Sequence, residues 1–178
     1  MKTFDLSSLI PEPIKHYGTY HPYRGGNNEK FDEFSKKILR FKDDYDWAVE
    51  YFFERLKNYF EDSIDAIMVI PSHDPDRKKT GIKDLAEKLA DYNGWKNCCE
   101  CLVRYKKIEK LAQGGDRSIS NHKESMKFVK KTNLDNKTVL LIDDVTTTGN
   151  SLRAGKKVLL ESGIKKVILF AIAQTAWD

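Results

Sequence analysis

The sequence predicts an α/β fold in which a parallel β-sheet is covered by helices on both faces. Short apolar runs at 64–70 (IDAIMVI), 139–142 (VLLI) and 166–173 (KVILFAIA) have the length and composition of buried strands. Between them, apolar residues recur every three or four positions, as in amphipathic helices. Strands that are apolar throughout and alternate with helices are typical of parallel sheets buried on both sides.

The elements can be assigned in chain order. Residues up to about position 28 are predicted to be irregular, because prolines and glycines there break any helix. Helices are predicted around 31–41, 47–59, 82–89, 121–131 and 151–161, and a further strand at 98–103. The stretch 104–120 has little periodicity, a Gly114-Gly115 pair and many lysines, so we predict a mobile loop over 105–115.

Composition excludes several classes of protein. The chain has 178 residues, which suits one domain with a modest appendage, and we place the boundary between 1–60 and 61–178. It has neither an apolar run of the roughly 20 residues that span a bilayer nor a signal-peptide apolar region. Cys98, Cys99 and Cys101 are too few and too close for a disulfide framework, which predicts a reducing cytoplasm.

Charge is distributed unevenly along the chain. Residues 29–65 carry 7 basic and 11 acidic side chains, whereas residues 104–137 carry 10 basic and 4 acidic ones. A basic segment of this kind suits an anionic ligand such as phosphate or nucleic acid. The alternative is a solvated, lysine-rich face without a ligand.

One stretch, VLLIDDVTTTGNS at 139–151, predicts the chemistry. Asp143 and Asp144 follow a buried strand, and in an open parallel sheet the carboxyl ends of the strands face the ligand crevice. The turn 146–151 would direct amides and hydroxyls toward a phosphate at the start of the next helix. The two carboxylates would repel that phosphate, so they suit ribose hydroxyls and a hydrated Mg²⁺. The alternative is an ordinary helix cap formed by Thr or Ser.

The same stretch resembles the phosphoribosyl-diphosphate (PRPP) motif of type I phosphoribosyltransferases. This resemblance implies a Rossmann-like parallel-sheet core over 61–178 with a small N-terminal hood over 1–60. It implies that Asp143 and Asp144 hold the ribose hydroxyls and, through water, Mg²⁺. The 5′-phosphate loop would consist of Thr146, Thr147, Thr148, Gly149, Asn150 and Ser151.

A second stretch, 69–90, is similar to the ComF-like branch of that family (competence protein F, amidophosphoribosyltransferase-like). The resemblance implies a pyrophosphate loop at Pro71, Ser72, His73 and Asp74. It also places Arg104 and Arg117 on the flexible loop, within a pattern that runs Arg104, Gln113, Arg117, Asn121. Lys106 and Lys107 of that loop are implied to act in catalysis with the two acids, and Lys110 would lie beside them. The chain departs from the branch at Thr80-Gly81-Ile82-Lys83, lacks its Cys-rich zinc segment, and has Thr147 where some purine-salvage relatives carry a catalytic Asp.

Other residues have two interpretations each. Cys98 and Cys101 have the spacing of a metal or redox pair, yet alternation along a strand would place them on opposite faces, which favours buried structural cysteines. Tyr17, Tyr20 and Tyr23 are candidates for stacking an acceptor base or for packing the N-terminal segment. Trp177 is at a position where relatives contact the base, although chain ends often fray.

The function that the resemblance implies is transfer of phosphoribose from PRPP to a nitrogen acceptor such as a nucleobase, with release of pyrophosphate. Such a transferase of nucleotide metabolism would be cytoplasmic and compatible with a homodimer, with no membrane partner. Two alternatives remain at the level of the sequence: a PRPP- or nucleotide-binding regulator without catalysis, and a ComF-like accessory protein of DNA uptake. Nucleic acid is the less favoured partner, because no zinc knuckle, helix-turn-helix or RNP-like aromatic string is present.

Overall fold

Seven strands and five α-helices, with a 3-10 turn at Arg24–Gly26, form the fold of the computed structural model, which describes residues 13–60, 63–73, 80–106, 118–129 and 132–177. The strands are β1 (Lys15–Tyr20), β2 (Ala66–Val69), β3 (Lys96–Asn97), β4 (Leu102–Arg104), β5 (Met126–Phe128), β6 (Thr138–Thr146) and β7 (Lys166–Thr175). The helices are α1 (Glu33–Lys42), α2 (Asp46–Leu56), α3 (Gly81–Asn93), α4 (Ile119–Ser125) and α5 (Asn150–Glu161).

The central sheet has five strands in the order β1-β7-β6-β2-β3, and every neighbouring pair is parallel. In β6, Leu141 lies opposite Met68 of β2 on one side and Leu169 of β7 on the other. The predicted α/β class with a parallel sheet is confirmed. All carboxyl ends of these strands therefore open on one edge of the sheet, where a ligand crevice is expected.

Side chains of the inner strands alternate between two apolar layers. Leu140 and Ile142 of β6 pack with the layer under α1, α2 and α3, whereas Val139 and Leu141 belong to the layer under α5. Successive side chains of a β-strand point to opposite faces of the sheet, so neighbouring residues fall in different layers. Because both faces are covered here, β6 is apolar at every position from 139 to 142, which is why it could be recognised from the sequence.

Helix α5 lies close against the sheet. A Cβ added at Gly155 would be 2.9 Å from side-chain atoms of both Ile70 and Leu141. Only a residue without a side chain fits there, and Leu152 and Leu159 of the same helix are fully buried. This contact fixes the position of the helix start that follows Gly149.

Two predicted elements were wrong in detail. The segment 98–103 is not one strand: the Asn97 side chain accepts from the Cys99 amide at 3.1 Å and the Cys101 amide donates to the Cys98 carbonyl at 3.0 Å, which forms a turn between β3 and β4. The helix predicted over 121–131 ends at Ser125, because 126–128 pair antiparallel with 102–104 in a second, two-stranded sheet.

The irregular start was also a wrong expectation for residues 15–20, which form β1 beside β7. This strand is at the edge of the sheet and none of its residues is fully buried, so it lacks the apolar run by which the inner strands are recognised. The boundary at residue 60 stays a prediction, while β1 shows that the first 60 residues contribute a strand to the central sheet. Among the residues that the structure describes, no helix is long and apolar enough to cross a membrane.

Candidate active site

A cavity of about 860 Å³ opens at the carboxyl edge of the sheet. Its walls come from the ends of β1, β2, β6 and β7, from the start of α5, and from β4 and α4. The predicted site residues among its lining are Pro71, Ser72, His73, Arg104, Asp143, Asp144, Thr146, Thr147, Thr148, Gly149, Asn150 and Ser151. The structure therefore brings together two stretches that are some 70 residues apart in the sequence.

Asp143 and Asp144 lie at the floor of this cavity, at the end of β6. The Asp144 amide donates to the Asp143 carboxylate at 2.9 Å, and the Val145 amide donates to the Asp144 carboxylate at 2.5 Å. Burial, together with the neighbouring Asp144 carboxylate, raises the pKa of Asp143 to about 8 from the ordinary 3.8, and the charges of Lys42 and Arg104 oppose this shift. A cation or a set of hydroxyl donors would relieve this concentration of negative charge.

The turn between β6 and α5 is held by side chains behind it. Gln174 Nε2 donates to the Thr147 carbonyl at 2.7 Å, and an Arg153 guanidinium nitrogen donates to the Thr148 carbonyl at 2.5 Å. The Thr147 and Thr175 hydroxyls are 2.9 Å apart. The helix start at 149–151 lines the cavity. The first amides of a helix have no partner within the helix, and here the Asn150 amide donates to the Thr148 hydroxyl at 3.4 Å.

Gly149 is required at the entry of α5. Its φ of 78° lies in the left-handed region, and an added Cβ would be 2.2 Å from Ile14 and 2.4 Å from the Arg153 guanidinium. A glycine is therefore needed both for the backbone angle and for the space. The positive end of the helix dipole and the adjacent hydroxyls together form an arrangement that binds anions.

The loop after β2 is fixed by Arg104, whose side chain is 7% exposed. Its Nε donates to the Ser72 carbonyl at 2.9 Å, a second guanidinium nitrogen donates to the Pro71 carbonyl at 3.4 Å, and a third donates to the Ser125 hydroxyl. Guanidinium groups carry several donors in a rigid plane, which suits this bridging position.

Comparison with known proteins identifies the family. The family model described as Phosphoribosyl transferase domain matches residues 83–176, more than half of the chain. The chain belongs to the phosphoribosyltransferase family. A comparison with curated proteins gives no match.

Three solved phosphoribosyltransferases are similar in fold. An adenine phosphoribosyltransferase shares 14% identity (TM-score 0.45), over 71% of this chain and 66% of that one, slightly under two thirds of its length. The adenine phosphoribosyltransferase of Leishmania tarentolae shares 13% identity (TM-score 0.49), over 75% of this chain and 73% of that one. The adenine phosphoribosyltransferase of Thermoanaerobacter pseudethanolicus shares 15% identity (TM-score 0.49), over 84% of this chain and 89% of that one. All three scores are below 0.5, so the family assignment rests on the sequence match.

Some residues predicted for this phosphoribosyltransferase lie elsewhere than expected. Arg104, assigned to the flexible loop, is buried in β4 and bonded to the loop after β2. Lys106 is exposed, with its ammonium 5.8 Å from the centre of the Tyr105 ring, and does not occur among the described residues that line the cavity. Asp74, Lys107 and Arg117 lie outside the described residues, as does the predicted mobile loop apart from Tyr105 and Lys106.

The cavity also has lining residues that the sequence did not indicate. Lys42 reaches it from the end of α1, and Asp44 from the turn between α1 and α2, where the Asp44 carboxylate accepts from the Gly81 amide at 2.6 Å. His122 reaches it from α4. No motif marks these residues, since only the packing of distant segments brings them to the site.

The cysteines and tyrosines of this phosphoribosyltransferase divide between core and surface. Cys98 and Cys101 lie in the same apolar layer, so the expectation of opposite faces was wrong: the turn, not a strand, sets their directions. All three cysteines are buried and free, and burial raises the pKa of Cys99 to about 12. Tyr20 lines the cavity, Tyr17 packs against Phe34, and Tyr23 is half exposed. Trp177 is 73% exposed.

Proposed function

We propose that this protein binds PRPP with Mg²⁺ and transfers its phosphoribose to a nitrogen acceptor such as a nucleobase, with release of pyrophosphate. The observation that carries the proposal is the meeting, in one cavity, of two adjacent carboxylates and the start of α5. A phosphate site beside a pair of carboxylates matches the two ends of a ribose 5-phosphate, one anionic and one rich in hydroxyl donors.

In this proposal the carboxylates of Asp143 and Asp144 accept hydrogen bonds from the ribose 2′- and 3′-hydroxyls. Both side chains lie at the cavity floor, and each accepts one main-chain amide that limits its rotation. The 5′-phosphate is bound by the amides of the α5 start and by the hydroxyls of Thr146, Thr148 and Ser151. Charge-assisted bonds of this kind are about twice as strong as neutral ones.

The pyrophosphate group of PRPP is assigned to the loop at 71–73, which lines the same cavity. Ser72, His73 and the guanidinium of Arg104 line the cavity there and supply donors. Asp74, Lys106, Lys107 and Arg117 stay assigned to this end by the family resemblance.

The carboxylates of Asp143 and Asp144 suit a Mg²⁺ ion that is bound through water molecules. No group of three or more His, Cys, Asp and Glu side chains that could hold a metal occurs within the described ranges. Mg²⁺ commonly uses one or two carboxylates and takes its remaining ligands from water and substrate phosphates. Asp143 and Asp144 are the residues that would hold it, and the bound ion would neutralise charge on the leaving pyrophosphate.

The reaction breaks the bond between ribose C1 and the pyrophosphate oxygen and forms a bond from C1 to the acceptor nitrogen. Positive charge develops on the ribose ring, as in glycoside hydrolysis, and the floor carboxylates stabilise it. Negative charge develops on pyrophosphate, opposite Arg104 and Lys42. Tyr20, Asp44 and Thr175 also line the cavity and are candidates for contact with the acceptor.

Assignment to the ComF-like branch is part of this proposal and is supported by the similarity over 69–90. The chain has Thr147 where some relatives carry an acid, and its hydroxyl is within hydrogen-bond distance of Thr175. We therefore assign no general base to the phosphate turn, and the acceptor must lose its proton to another group or to water.

The test is pyrophosphate release from PRPP with Mg²⁺ and a panel of nucleobases. The proposal predicts release with at least one acceptor and loss of release in Asp143→Asn with Asp144→Asn. Binding of PRPP by calorimetry without release for any acceptor would indicate a regulator instead. Absence of both binding and release would contradict the proposal.

A further inference from the structure

His122 lies in the wall of the cavity although no step above uses it. It is 3% exposed, and its ring nitrogens Nδ1 and Nε2 are 3.5 and 3.4 Å from the Ser151 hydroxyl oxygen. Buried polar side chains in proteins are nearly always hydrogen-bonded. A buried imidazole with one edge on a residue of the phosphate turn therefore has a role to be assigned.

The backbone of His122 is held firmly in place. Its carbonyl accepts the Ser125 hydroxyl at 2.7 Å, and that hydroxyl in turn accepts from Arg104, which also bonds the Ser72 carbonyl. A continuous chain of hydrogen bonds thus joins the helix that carries His122 to the loop after β2. The main chain of His122 is therefore anchored between the two ends of the cavity.

We infer that His122 is a positioning residue for the 5′-phosphate, acting through the Ser151 hydroxyl; this inference rests on the proposed function. A hydroxyl has one hydrogen to donate and two lone pairs with which to accept. If the imidazole donates its N–H to Ser151 Oγ, the hydroxyl hydrogen is left for a phosphate oxygen. If the imidazole accepted instead, only lone pairs of Ser151 would face the anion.

Phosphate binding therefore selects the arrangement in which His122 donates. The contact of 3.4–3.5 Å is long, and hydrogen bonds in active sites often shorten when a ligand binds. Loss of the imidazole would leave the Ser151 hydroxyl free to rotate, with the same consequence for phosphate affinity as loss of the hydroxyl itself.

The experiment is a double-mutant cycle read by calorimetry with ribose 5-phosphate, with pyrophosphate as the control ligand for the other end. His122→Met removes the donor at similar length, and His122→Gln retains an N–H donor. We expect His122→Met and Ser151→Ala each to weaken ribose 5-phosphate binding about tenfold, the effect of one hydrogen bond to a charged group. The double variant should be no weaker than either single one, His122→Gln should recover most of the affinity, and pyrophosphate binding should be unchanged.

Several outcomes overturn the inference. Full additivity of the two changes would show that His122 does not act through Ser151, and unchanged binding in His122→Met would show that it does not act on the phosphate. If His122→Met does not fold, His122→Ala with added imidazole replaces it, and failure of imidazole to restore binding contradicts the positioning role. If the unmodified protein binds no ribose 5-phosphate, the proposed function fails first and this inference fails with it.

Discussion

The Asp144 amide donates to the Asp143 carboxylate at 2.9 Å, so two neighbouring acids are held together at the floor of the cavity. Adjacent carboxylates in a partly buried site repel each other, which is unfavourable for the folded protein without a ligand. Ligand affinity, and the way protein stability changes with pH, should therefore both depend on this carboxylate pair.

The first prediction concerns stability against pH. The pKa of Asp143 is raised to about 8, so between about pH 4 and pH 8 the folded state holds a proton that the unfolded state has lost. The free energy of unfolding must then fall as pH rises through this window, by at most about 1.4 kcal/mol per pH unit from this group. Denaturant unfolding at pH 5, 6.5 and 8 should show a decline that is smaller in Asp143→Asn. An identical decline in both proteins would contradict the raised pKa.

The second prediction concerns PRPP affinity. Asp143→Asn with Asp144→Asn should weaken PRPP binding more than tenfold with Mg²⁺ present, because the amides neither attract the cation nor accept ribose hydroxyls as strongly. Glu87→Gln with Asp91→Asn removes the same charge from the exposed face of α3 and serves as the matched control. Equal calorimetric affinity in the site variant and the control variant would remove the assigned role of the carboxylates.

The third prediction concerns the turn before α5. Gly149→Val places a branched side chain where φ is 78° and where a Cβ would clash with Ile14 and the Arg153 guanidinium. The strained backbone alone costs about 1–2 kcal/mol, and the turn must distort. We expect a lower melting temperature and no further rise on addition of ribose 5-phosphate. A ligand-induced rise equal to that of the unmodified protein would show that the turn does not bind phosphate.

The fourth prediction concerns Arg104. Arg104→Met leaves the carbonyls of Pro71 and Ser72 without their guanidinium donor and should lower the free energy of unfolding by about 2–3 kcal/mol. Pyrophosphate binding should weaken more than ribose 5-phosphate binding, because the change is at the other end of the cavity. Arg104→Lys, whose side chain has a single nitrogen, should retain part of the stability and part of the pyrophosphate affinity. Equal loss for the two ligands would indicate a general distortion rather than a pyrophosphate site.

The sequence predicted those elements whose position depends on neighbouring residues in the chain. The inner strands β2, β6 and β7 are buried on both faces and so appear as apolar runs, and Asn93-Gly94 ends α3 with Gly94 in the left-handed region. The turn between β6 and α5 covers 147–149 and is shorter than the predicted 146–151, since Thr146 belongs to β6 and Asn150 and Ser151 belong to α5. The α/β class is confirmed, while the roles of the individual site residues stay predictions.

What could not be predicted depends on distant contacts. Strand β1 exists because β7 offers it a partner, and the Asn97 side chain redirects the chain where a strand was expected. Lys42 and His122 carry no motif and reach the cavity only through packing of α1 and α4. The burial of Arg104 likewise depends on Pro71 and Ser72, more than 30 residues earlier in the chain.

The most direct test of the phosphoribose site is the melting temperature of the unmodified protein with and without ribose 5-phosphate. Ligand at about one hundred times its dissociation constant stabilises a protein by about 2.7 kcal/mol, which for a domain of this size corresponds to a rise of roughly 5–10 °C. We predict such a rise with ribose 5-phosphate and none with ribose, which lacks the phosphate. No rise at any concentration of ribose 5-phosphate would contradict the phosphate site and the function built on it.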